Sequence, residues 1–222
     1  MAKIFHDFDL AAFWEDSDWA DEEYVEPFPT PEIIRSVEDE LGYKLPLAYI
    51  ELMQSQNGGC PLNTCHRTST PTSWAEDHVA ISGFKGIGRT KIWSLCGELG
   101  SRQSNDEWGY PDIGIYFGDC PSAGHDMLCL DYRECGPSGE PQVVHVDQEC
   151  DYRITHVADN FEAFVLGLEP EDTFDFEVDE LKPAPKVISA WIDPDFAKEH
   201  GVDMSDEAAS KLPWRGPRHR EE

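Results

Sequence analysis

The chain has 222 residues and a formal net charge of −28, from 45 acidic and 17 basic side chains. That length accommodates one substantial core, or one domain with a tail, and a field of this sign repels phosphate backbones and anionic lipids. No basic region followed by an apolar run marks a secretory leader, no apolar run approaches the ~18–20 residues of a spanning helix, and the seven cysteines, odd in number, predict mostly buried thiols in a reducing cytoplasm.

Residues 1–26 alternate aromatics with acids: Phe5, Phe8, Phe13, Trp14, Trp19 and Tyr24. Aromatic content this high argues against a disordered tail. The spacing of Leu10, Phe13, Trp14 and Ser17 predicts a short helix docked on the domain through its aromatics. Residues 1–52 carry 14 acidic side chains against 3 basic ones. Pro27, Pro29 and Pro31 form a stiff lead into residues 31–59, around which the chain is organised. There Ile33, Ile34, Val37 and Leu41 fall at helical spacing. Thr30 suits the N-cap, Pro31 the first turn and Glu32 the dipole. Gly42 stops the helix and Leu45-Pro46 restarts the chain. Leu47, Ile50 and Met53 mark a second helix that runs to the breaker Asn57-Gly58-Gly59.

Residues 60–78 read as a long loop, with a brief strand at Val79-Ala80-Ile81. Gly83–Thr90, GFKGIGRT, matches the spacing of a phosphate-binding loop, but Arg89 stands where that motif needs lysine and no long apolar strand precedes it. A glycine-rich turn is the better reading. Ile92, Leu95 and Leu99 predict a helix over Thr90–Leu99. Strands are predicted at Ile113–Gly118, around Cys129 (Met127–Asp131), at Gln142–Asp147 and at Asp151–Val157. In the third of these, Val144 and Val146 share one face, and Val143 and His145 the other. Ala158–Leu168 closes the run as a helix with Phe161, Phe164, Val165 and Leu168 on its apolar face. Short turns between strands indicate an antiparallel sheet, and helices at both ends make the fold class α+β, a central antiparallel sheet flanked by helices. Residues 169–222 are acidic and interrupted by proline. They read as an appendage with brief elements at Val187–Trp191 and Asp206–Leu212, docked through Phe174, Phe176, Trp191 and Trp214.

The order Glu38-x-x-Leu41-Gly42-x-x-Leu45-Pro46-x-x-Tyr49, followed by Asn57-Gly58-Gly59, resembles the signature of the SUKH superfamily, the group of Smi/Knr-like cell-wall regulators and bacterial immunity proteins. Ile113–Asp119 with Met127–Asp131 resembles its central hairpin, and Val157–Phe164 its closing helix. The resemblance covers roughly residues 27–168. It divides the chain into an N-terminal segment (1–26), a SUKH-like domain (27–168) and a C-terminal extension (169–222). It implies a non-catalytic α+β module in which the motif residues Glu38, Leu41, Gly42, Leu45, Pro46, Tyr49, Asn57, Gly58 and Gly59 are structural. It also implies a protein partner: for an immunity protein, a toxin domain of nuclease or deaminase type. The acidic charge independently favours a basic protein partner, since a nuclease must carry cationic groups to hold phosphate.

The contact surface is expected around Asp112, Asp119, Ser122, His125 and Asp126, together with the acidic N-terminal segment. Neither nucleic acid nor membrane is an expected partner, and no cofactor is expected. A regulatory scaffold of the cell-wall type is the alternative. A further alternative is a Cys/Ser hydrolase on the 120–125 turn, where Cys120, Ser122 and His125 cluster beside Asp119 and Asp126. That turn lacks a nucleophile elbow, and catalytic partners are rarely so close in sequence. The spacings Cys60-x4-Cys65-His66 and Cys129–Cys135 lack the paired pattern of structural zinc sites, and His145 and His156 lie in predicted strands, so no metal is expected.

Overall fold

A computed structural model describes residues 3–174. The predicted elements at Val187–Trp191 and Asp206–Leu212, and the docking aromatics Phe176, Trp191 and Trp214, lie outside the described residues.

Helix α1 (Asp18–Glu23) opens the fold behind an N-cap at Ser17, whose hydroxyl accepts from the Ala20 N–H. The helix predicted just before it is only a single 3-10 turn, Leu10–Ala12. The chain there is extended instead, Trp14 bridging to Pro61 and donating its indole N–H to the Ser55 hydroxyl. Helix α2 (Pro31–Leu41) begins at Thr30, whose hydroxyl accepts from the Ile33 N–H, and ends at Gly42 with φ +84°. Helix α3 (Leu47–Met53) starts directly after Pro46.

Strands β1 (Cys65–Arg67), β2 (His78–Ala80) and β3 (Gly83–Phe84) follow, then helix α4 (Ser101–Asp106), strands β4 (Gly114–Asp119), β5 (Asp126–Asp131), β6 (Gln142–Asp147) and β7 (Arg153–Ala158), helix α5 (Phe161–Leu166) and the short strand β8 (Leu168–Glu169). The main sheet is antiparallel in the order β3-β4-β5-β6-β7, and a second sheet runs β2-β1-β8. This is the expected α+β fold. Strand β1 lies inside the predicted loop. Its hydrogen-bonded partners are Ala80 on one side and Glu169 on the other, so its existence depends on residues far away in the sequence.

The principal core lies on the face of the main sheet that carries Ile115, Phe117, Leu128, Leu130 and Val143, and it takes in α3 and α5 through Tyr49, Leu52, Phe161 and Phe164. The N-terminal Phe5, Phe13 and Trp14 are buried in this same core. Its centre is aromatic, with the Phe84 ring 5.9 Å from Phe117 and 6.1 Å from both Phe161 and Phe164. The opposite sheet face holds a smaller cluster of Tyr110, Tyr116, Met127, Cys129, Val144 and Val146. The predicted facing of Val143 against Val144 therefore matches the two clusters.

The expected helix at Thr90–Leu99 is absent. The segment is a series of turns, and the helix comes later as α4. The cause is a carboxylate distant in the sequence. Glu26 accepts from the N–H groups of Thr90 and Lys91 and from the hydroxyls of Thr90 and Ser94. Glu26 itself is held by its N–H donating to the Asn57 carbonyl at 2.9 Å. These donors serve a tertiary contact and not an α-helical ladder. Burial alone would raise the Glu26 carboxyl, but the hydroxyls of Ser94 and Thr90 and the two backbone donors outweigh it and hold the group below 4.5. A carboxyl depressed by folding stabilises fully above its unfolded value and loses that contribution as pH falls through the folded value. Glu26→Gln is therefore expected to lower the urea midpoint at pH 7 and to flatten the decline of stability below about pH 4.5. An unchanged acid limb in urea titrations would refute this assignment.

Candidate functional site

The motif residues occupy one corner. Glu38 is buried, its carboxylate accepting from the Leu45 N–H at 3.0 Å and from Lys44 Nζ at 2.6 Å. It thereby fixes the bend between α2 and α3. The Tyr49 hydroxyl donates to the Lys85 carbonyl. The Asn57 side chain donates to the carbonyls of Pro27 and Ile87 and accepts from the Ile87 N–H, so it pins three stretches of chain. Gly58 adopts φ +100°, and a Cβ there would meet the Tyr24 carbonyl oxygen at 2.6 Å and the Gly86 nitrogen at 2.8 Å. Only glycine allows that approach.

Behind this corner lies a buried charge pair. Lys85 is fully buried and donates to Asp119 Oδ1 at 2.7 Å and to the Leu99 carbonyl at 2.8 Å, with its ammonium 4.6 Å from the centre of the Trp93 ring. The Tyr24 hydroxyl donates to the second Asp119 oxygen at 3.3 Å. Burial pulls both charges towards neutrality, Lys85 downward and Asp119 upward, and each opposes that shift in the other. The phosphate-loop comparison ends here. The lysine of GFKGIGRT is spent inside the protein, and Arg89 pairs with Glu40 at 2.8 Å and donates to the Ser36 hydroxyl.

The five residues expected to form one contact surface do not share one. Asp112 is exposed and lies before β4, within 3.5 Å of the Tyr43 hydroxyl. Ser122 and His125 lie beyond the other end of that six-residue strand, a separation of about 20 Å at ~3.3 Å per residue. Asp119 and Asp126 are 6% and 5% exposed and face inward. Their acidity suggested solvent, but Asp119 is enclosed by Lys85 and Tyr24 and Asp126 lies beside His145. Among the described residues, one open stretch of acidic surface is N-terminal. On α1, Asp18, Trp19, Asp21 and Glu22 are all exposed, Trp19 at 55%. Neither these three carboxylates nor that of Asp16 has a basic side chain within 4.0 Å among the described residues.

The 120–125 turn is not assembled as a hydrolase. The Ser122 hydroxyl accepts from the Asp126 N–H at 2.9 Å, and the exposed His125 ring stands 3.5 Å from Glu149. Cys120 is buried where His125 is exposed, and burial together with the charges of Asp126 and Asp119 pushes its thiol well above the usual range. A thiol so placed is protonated and a poor nucleophile. The Cys60–Cys65–His66 stretch does not converge either, since His66 stacks on Phe164 with ring centres 5.2 Å apart. An open groove of about 850 Å³ runs between the N-terminal segment and α3 past Phe8, Leu10, Leu47 and Ile50. Its two lining carboxylates are both engaged, Glu51 by the N–H groups of Ile4 and Phe5 and Asp9 by that of Ala11. No helix among the described residues is long and apolar enough to cross a membrane.

No curated protein matches the chain. The family model described as SMI1-KNR4 cell-wall (SUKH_6) matches residues 31–165, a span that contains the α2–α3 corner, the β4–β5 hairpin and most of α5. With well over half of its length matched and the motif side chains bonded as above, this chain belongs to the SMI1-KNR4 family of the SUKH superfamily.

Proposed function

We propose that the protein is a non-catalytic binding module that captures a basic protein partner, in the manner of an immunity protein covering a cationic toxin domain. The observation that carries this reading is α1, where an exposed tryptophan stands among carboxylates that pair with no basic side chain among the described residues, Lys91 donating to the backbone carbonyls of Asp21 and Glu22 instead. Tryptophan is a favoured anchor at protein interfaces, and unneutralised acids steer a cationic partner and speed its encounter. Nucleic acid and anionic lipid are repelled by the same field. The enclosed Cys120 sulfur and the engaged Ser122 hydroxyl support a module that binds without breaking bonds. A second reading, a regulatory scaffold of the cell-wall type, is favoured by the description of the matching family, and its partner would meet the same acidic face.

The charge reversals Asp18→Lys, Asp21→Lys and Glu22→Lys, made together, are expected to slow association with a basic toxin domain encoded beside this gene by at least about tenfold at low salt. The difference should shrink as salt rises. Stopped-flow association rates measure this, with circular dichroism to verify folding. Unchanged rates across the salt series would remove α1 from the interface. If no neighbouring toxin is neutralised on co-expression, the immunity reading itself fails.

A further inference from the structure

We propose that Cys120, Asp126 and His145 form a site for one divalent transition-metal ion of the zinc class. The three come from different places: the residue after β4, the first residue of β5 and the middle of β6. One ligand atom from each, thiol sulfur, carboxylate oxygen and ring nitrogen, lies within 4.8 Å of the other two. All three side chains are buried, at 6%, 5% and 1% exposure.

His145 carries the argument. Among the described residues neither of its ring nitrogens has a hydrogen-bond partner. A buried imidazole with both nitrogens orphaned is costly, and native structures rarely leave one unexplained. Its Nε2 points at Asp126 Oδ2 from 3.3 Å without forming a hydrogen bond. Two atoms each ~2.0–2.1 Å from a tetrahedral zinc ion stand about 3.3 Å apart, so this separation already equals one edge of a coordination tetrahedron. The donor set of sulfur, imidazole and carboxylate suits zinc and disfavours magnesium or calcium.

The charge also balances. A thiolate and a carboxylate cancel a divalent ion, leaving a neutral unit that a dry interior tolerates. Binding displaces the thiol proton to solvent. Asp147, two residues beyond His145 and therefore on the same strand face, is already paired, its second carboxylate oxygen standing 3.6 Å from the Arg153 guanidinium, and is no part of the site. All three side chains are buried, so the ion would be enclosed by the fold and held by three protein ligands. It would tie the 120–125 turn to β6.

The test uses the full chain, reduced and stripped with chelator, then given zinc alone. One ion per chain is expected by native mass spectrometry after desalting, with a rise in melting temperature. Cobalt in place of zinc should give intense tetrahedral visible bands and a thiolate-to-metal charge-transfer band. That band should survive removal of the two exposed thiols, Cys135→Ser with Cys150→Ser, and vanish in Cys120→Ser. Should Cys120→Ser fail to fold, a maleimide pulse on the natural chain in mild denaturant replaces it, with labelling read peptide by peptide. Zinc is expected to protect Cys120 selectively. Failure to retain zinc, a cobalt spectrum without sulfur ligation, a band that disappears with the exposed thiols or persists in folded Cys120→Ser, or protection elsewhere than at Cys120 each overturns the proposal.

Discussion

Lys85→Met is expected to cost about 3–5 kcal/mol of folding stability, because it leaves the Asp119 carboxylate buried without its cation. Methionine fills nearly the same volume, so the loss is electrostatic and not a cavity effect. The ammonium also holds the Leu99 carbonyl and faces Trp93, so the turns after Ile87 should loosen with it. Adding Asp119→Asn restores most of the loss: the amide is neutral and its oxygen still accepts from Tyr24. Urea unfolding followed by tryptophan fluorescence reads both variants. If Lys85→Met loses less than about 1 kcal/mol, or the double variant is no better than the single one, the pair is not what holds this end of the sheet.

Phe84→Ala is the second large effect, at about 3–5 kcal/mol. The ring is fully buried and packs within 6.1 Å, centre to centre, of Phe13, Trp14, Phe117, Phe161 and Phe164. Its truncation opens one void shared by the N-terminal segment, the sheet and α5. These elements interlock, so the cavity has little freedom to collapse, and the cost should sit at the upper end. Phe84→Leu keeps most of the volume and should lose roughly half as much or less. Midpoints from urea denaturation order the two. Equal midpoints would mean that the ring is not a keystone of the core.

Local chemistry made part of this fold readable in advance. The cap at Thr30, the left-handed Gly42, the Pro46 restart and the β4–β5 and β6 strands all depend on residues adjacent in sequence, and the structure places them as the periodicity predicts. The failures share one cause. Thr90–Leu99 has a helical face, but Glu26 captures the donors a helix would use. Strand β1 has no local signature and exists through pairing with Ala80 and Glu169. Asp119 and Asp126 look like surface acids because nothing nearby in sequence announces Lys85 or His145 as their neighbours. The convergence of Cys120, Asp126 and His145 follows from strand register, which pairs Asp126 with Asp147 and Leu128 with His145. Only the pairing of the two strands reveals it.

The bonds that Glu26 makes to Thr90, Lys91 and Ser94 have a practical consequence for anyone trimming this protein. A recombinant fragment cut to begin at Pro31, where the family match starts, would discard the carboxylate that shapes residues 88–96, the Tyr24 phenol that touches Asp119, and three aromatic rings of the main core. Such a fragment should express as a partly unravelled chain. The minimal folding unit here extends upstream of the homologous region.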